Sequence, residues 1–200
     1  MNKNCIGINF EDFKILKYIT DIDEFSIKIR NIRNKFGFYT NVNLYVYDSI
    51  DEISRTLNVN IPKWVTAMAV DDVIFISDYR VWKEKDNTTF DKVIIHEFIH
   101  VIINNSIKSK VPLWINEGIA QYYSEEYKKY KLDGRELEKD IYALEVYSPS
   151  LYKHSAQTVK LLIDKYGEKY IINKIKNTYD FENDKILGAI NIKRIIESNY

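Results

Sequence analysis

Two of the chain's three histidines stand four positions apart in the run "FDKVIIHEFIHVIINN", with Glu97 between His96 and His100. On a helix, residues at this spacing share a face, so both imidazoles project from one rigid element. Zinc takes ring nitrogens at about 2.0–2.1 Å, and His96 and His100 could supply two of them. Glu97 lies about 100° further round the axis, where it can reach a metal-activated water without ligating the metal. A metal, a water and a base to deprotonate that water make a hydrolytic centre. The flanks are Val93, Ile94, Ile95, Phe98, Ile99, Val101, Ile102 and Ile103. Burying two imidazoles and a carboxyl among them is costly unless something compensates, and a divalent cation does.

A catalytic zinc needs a third protein ligand and an open position. The pattern H-E-x-x-H-x-x-G-x-x-H would supply a further histidine, but Ile103 and Ser106 occupy its last two places. The remaining histidine is His154. The alternative is an acid on the next helix, "PLWINEGIAQYY". There Glu117 is set among Trp114, Ile115, Ile119 and Ala120, whereas Glu125 and Glu126 fall in a charged stretch suited to solvent. A lone glutamate among apolar neighbours also demands a partner, and the same ion answers that demand.

The elements that must position these groups follow from periodicity. "DEFSIKIRNIRNKF" reads as the first helix, with Phe25, Ile29, Ile32 and Phe36 on one face. "VNLYVYD" reads as a strand, and Ser49 to Glu52 forms a capping box opening a helix that carries Ile50, Ile53 and Leu57. "WVTAMAV" and "VIFIS" flank Asp71-Asp72 as a hairpin or two adjacent strands. The metal-motif helix covers "NTTFDKVIIHEFIHVIINN", with Thr88 or Thr89 as its cap. Its Val and Ile content gives mediocre helix propensity, so a buried packing site must hold it. Pro112 suits the first turn of "PLWINEGIAQYYSEEYKKY". Beyond Gly134 the chain reads as wholly helical, through "SLYKHSAQTVKLLIDKYG" with its stop at Gly167, "EKYIINKIK" and "NDKILGAINIKRIIES". The expected fold is α+β: a small N-terminal sheet with helices, then an all-helical lobe. It forms one catalytic domain over 1–200, with lobes of about 1–105 and 106–200.

Twenty-nine basic residues balance twenty-nine acidic ones, which gives no reason to expect nucleic acid or an anionic membrane as partner. Cys5 is the single cysteine and cannot form an internal disulfide. No apolar run is long enough for a secretory signal or a bilayer span, so the chain as written reads as cytoplasmic. It would be secreted or surface-attached if its native N-terminus were longer. A monomer is expected.

The motifs "HEFIH" and "WINEGIA" resemble H-E-x-x-H and W-x-x-E-G-x-A of the gluzincin zinc metallopeptidases, in particular the small bacterial peptidase MA-like domains. A looser Y-x-x-S match at "YKHS", followed by "VKLLIDKYG", extends the resemblance, which covers most of the chain. It implies a zincin-like fold, one Zn2+ ion held by His96, His100 and Glu117, and Glu97 as general base and proton shuttle. It implies that Asn116 and Gln121 orient ligand imidazoles, although relatives carry an acid where this chain has Gln121. Tyr152 corresponds to the tyrosine of "YKHS" and would stabilise the oxyanion, with His154 as runner-up. It implies too that "VIFIS" is an edge strand pairing with an extended peptide or protein substrate.

The expected reaction is therefore hydrolysis of a peptide bond by a zinc-activated water. Three other classes fit parts of the pattern: a zincin-fold binding domain with a structural zinc, a zinc hydrolase of a non-peptide substrate, and a metal-free helical interaction module. An intact Glu97 argues against the first, since a structural site has no use for a base.

Overall fold

The β-branched and aromatic runs of the first half pair into a sheet, and the second half is helical. The computed structural model describes residues 7–84, 88–130, 140–144 and 147–198, and the protein is α+β. Cys5 and Gly134 lie outside the described residues. Two compact units divide the chain, Met1–Asn105 and Ser106–Tyr200. Among the described residues, no helix is long and apolar enough to cross a membrane.

The first unit runs β1 (Ile8–Phe10), α1 (Ile22–Phe36), β2 (Val42–Tyr47), α2 (Ile50–Leu57), β3 (Ala67–Val70), β4 (Val73–Ser77), α3 (Tyr79–Trp82) and α4 (Phe90–Ser106). Helix α1 buries Phe25, Ile29, Ile32 and Phe36, the stripe its spacing predicts. Asp21 caps its start and Gly37, at φ 66°, closes its end. Ser49 caps α2 by accepting from the Glu52 N–H, while the Glu52 carboxylate accepts from the Asp48 N–H at 2.9 Å.

The sheet is mixed, in the order β1-β2-β4-β3. β1, β2 and β4 are parallel, and β3 returns antiparallel on β4. In this register Ile8, Val42, Leu44, Ile74 and Ile76 share one face, and all are fully buried. On the other face the half-buried rings of Tyr45 and Tyr47 lie 6.2 and 6.0 Å from that of Phe75. Asp71 and Asp72 form the two-residue turn between β3 and β4, with Asp71 at φ 52°. Asp tolerates that left-handed conformation better than most residues.

One strand expectation is overturned. "VIFIS" is β4, paired on both sides, and the strands bonded on one side only are β1 and β3. A continuous apolar run such as Val73–Ile76 suits an inner strand, which has both edges covered by neighbouring strands.

The second unit contains α5 (Leu113–Ser124), α6 (Pro149–Tyr166), α7 (Glu168–Asn177) and α8 (Ala189–Ser198), with single 3₁₀ turns at Glu126–Lys129 and Ile141–Ala143. Pro112 is the cap of α5 rather than its first residue, and α5 stops at Ser124, six residues short of the expected end. Glu125 takes a left-handed conformation there, at φ 65°. Helix α8 also starts late. Asp184 accepts from the Ile186 and Leu187 N–H groups, and this local turn competes with helix over 183–188. Helix α6 runs from its Ser148 cap and first-turn Pro149 to Gly167 at φ 85°, as "YG" predicts.

Candidate metal centre

Helix α4 is buried almost all round, which explains how so Val/Ile-rich a segment stays helical. Between Lys92 and Asn104 its accessible positions draw a narrow line. Lys92, His96 and His100 are half-buried and Asn104 is exposed, while Val93 to Ile95, Glu97 to Ile99 and Val101 to Ile103 are buried. These four recur at i, i+4, so one stripe of α4 opens toward solvent and carries both histidines. Their rings lie 4.8 Å apart, centroid to centroid, at 74°. Glu97, next to His96, is 9% exposed.

The ends of α4 are tied. At its start, Phe90 packs in an aromatic cluster with Tyr18, Tyr79 and Trp82, at centroid distances of 5.7, 5.7 and 6.4 Å. The Trp82 indole donates to the Ser77 carbonyl at 3.0 Å. At its end, the Asn105 amide donates to the Asp71 carbonyl at 2.9 Å and to that of Val101 at 2.8 Å.

Glu117 is 3% exposed, in the middle of α5 beside Ile115, Ile119 and Ala120, which are fully buried. Helix α5 lies very close to α6. A methyl group at Gly118 would come within 2.5 Å of both the Ser155 carbonyl oxygen and the Val159 Cγ2. One turn on, the Gln121 amide nitrogen donates to the Tyr152 carbonyl at 2.9 Å and to the Glu117 carbonyl at 3.4 Å. At the far end of α5 the Tyr123 hydroxyl donates to Glu168 Oε1 at 2.6 Å, reaching the first residue of α7. Burial, then this hydrogen bond and the Glu168 charge, raises the Tyr123 pKa far above the ordinary phenol value.

His96, His100 and Glu117 come together. Each offers one ligand atom, and these atoms lie within 4.8 Å of one another, a set that could hold a metal ion. Ligand atoms around a tetrahedral zinc ion stand about 3.3–3.4 Å apart, so the widest allowed pair closes onto one ion by side-chain rotation of about 1.4 Å. Two imidazoles and one carboxylate suit zinc and other late transition metals better than magnesium or calcium, which prefer oxygen. Neither Glu97 nor His154 belongs to this group.

The remaining expectations fare differently. Tyr152 and His154 are both on α6, and Tyr152 is half-buried, its ring 6.4 Å from that of Tyr147. His154 is buried. Two positions on a helix are about 200° apart, so only one of the pair can address a given point. Gln121 donates its amide nitrogen to backbone carbonyls of α6 and of its own helix. Periodicity gives no sign of how closely Gly118 approaches α6, because the backbone it meets lies far along the chain.

A scan against protein-family models finds no match to the chain, and a search of curated proteins finds none either.

Proposed function

We propose that this protein is a zinc-dependent metallopeptidase of the gluzincin type, hydrolysing peptide bonds in a peptide or protein substrate. The observation that carries the reading is the convergence of His96, His100 and Glu117 within 4.8 Å, with Glu97 buried next to His96 but outside the ligand group. The open stripe of α4 adds support. A structural zinc is closed off by its ligands, whereas a catalytic one must be reached by substrate, and both histidines lie on the accessible line of an otherwise buried helix.

His96, His100 and Glu117 would hold the ion. When bound, zinc supplies Lewis acidity, polarising a carbonyl and lowering the pKa of water from 15.7 to about 7. Glu97 would accept the proton of the attacking water and return it to the leaving nitrogen. Its burial holds the carboxylate away from bulk solvent, which strengthens its interactions with charge developing beside it. Tyr152, the more open of the two α6 candidates, would donate its hydroxyl hydrogen to the oxyanion.

Zinc stoichiometry and cleavage of a peptide library, compared for wild type and Glu97→Gln, test the reading. Glu97→Gln should keep one zinc per chain and lose about 10²–10⁴-fold in turnover, the range for a general base. Equal rates would sink the assignment of Glu97; a wild-type chain that takes up no zinc would sink the whole proposal.

A further inference from the structure

We infer that Gly118 and Gln121 are positioning residues that set the Glu117 carboxylate by locking α5 onto α6. The inference rests on the metal-centre reading and deepens it. Glu117 lies on a short helix of twelve residues, and its carboxylate can meet a metal only where α5 places it. Metal–ligand distances tolerate deviations of about 0.2 Å. Gly118 is the next residue, and it has no room for even one carbon. Its missing Cβ would stand 2.5 Å from a backbone oxygen of α6, whereas ordinary contact begins at 3.4 Å. Relieving that clash takes a displacement of about 0.9 Å, more than four times the coordination tolerance. A carbonyl in mid-helix cannot swing aside as a side chain can, so α5 itself must yield. Gln121 sits one turn beyond Glu117, on the same face, and holds that face to the Tyr152 carbonyl while 1% exposed. The two contacts act in opposite senses: Gly118 allows the approach and Gln121 holds it.

This gives the glutamine a job beside the one the resemblance implies. Where relatives carry an acid, this chain has an amide whose nitrogen fastens the helix that bears the ligand.

The test compares wild type with Gly118→Ala, Gln121→Leu and, as control, Gly188→Ala. Gly188 is equally crowded, by the Asp184 and Glu182 carbonyls at 2.3 and 2.5 Å, but it lies in the turn before α8. Each protein is stripped of metal, melted by circular dichroism, titrated with zinc against a chromophoric chelator, and loaded with cobalt for its visible spectrum. Gly118→Ala should lose 10–100-fold in zinc affinity, the range seen when residues supporting ligands are replaced, and its cobalt bands should shift. Gln121→Leu should lose about tenfold by the same logic. Gly188→Ala should melt lower yet bind zinc as wild type does. Should metal-free Gly118→Ala fail to fold, Gln121→Leu alone decides: unchanged affinity overturns the inference. Wild-type affinity and spectrum in Gly118→Ala, or a loss in Gly188→Ala as large as in Gly118→Ala, also overturn it. Absence of zinc binding in wild type would instead refute the metal centre, and the inference with it.

Discussion

Replacing Tyr123 by Phe removes the bond that fastens the end of α5 to the start of α7 while keeping the ring that packs there. The Tyr123 hydroxyl meets Glu168 Oε1 at 2.6 Å from a residue that is 6% exposed. Hydrogen bonds to charged partners contribute about 1.5–3 kcal/mol. Glu168 is half-buried, so water can replace part of the lost interaction, and the lower end, about 1.5 kcal/mol, is the better figure. For a chain of this size that is a loss of about 3–6 °C in Tm. The pH dependence is more diagnostic. The folded-state pKa of Tyr123 is raised, so its contribution is complete below the unfolded value of about 10 and is lost as pH rises above it. The slope is about 1.4 kcal/mol per pH unit, so the advantage of wild type over Tyr123→Phe should vanish near pH 11 and reverse beyond it. Urea unfolding of both proteins at pH 7, 9 and ~11 measures this directly. Equal midpoints at pH 7, or a difference that stays constant to pH 11, would refute the reasoning.

Chelation should lower the melting temperature, and zinc at about a thousand times its Kd should restore about 4 kcal/mol, or about 8–16 °C. Calorimetric scans with and without chelator measure it, and an indifferent melting temperature would count against the three-ligand site. Gly188→Ala should cost about 1–3 kcal/mol from backbone crowding alone, read from its urea midpoint. A wild-type midpoint would mean that the turn before α8 adjusts freely.

Much of this fold is written in periodicity. The α1 stripe, the Asp71-Asp72 hairpin and the α4 segment need only local pattern, since each is long or carries a turn signal. β1 escaped because three residues are too few for alternation to show. The order of the strands escaped for another reason: which strand is left at the edge depends on pairing partners, and "AMAV" looks no more exposed than "VIFIS". Residues 125–130 and 183–188 read as helix until their neighbours intervene, through a left-handed Glu125 and the Asp184 side chain. At the site, the pairing of His96 with His100 was legible from spacing, and Glu117 from its apolar company. The contacts of Gly118 and Gln121 were not, because their partners are backbone carbonyls of α6, some thirty or more residues further along.

The tether from Asn105 to the Asp71 carbonyl has a meaning beyond holding a helix end. Close packing resists rotation of a buried helix, and one residue of slippage would rotate it by about 100° and advance it about 1.5 Å. Such a step would bring Ile95 or Glu97 to the place where His96 now stands. The tether offers one carbonyl at one distance, and the Phe90 cluster fixes the opposite end. A hairpin turn well removed from the histidines along the chain thus adds an index mark to the phase that packing gives α4.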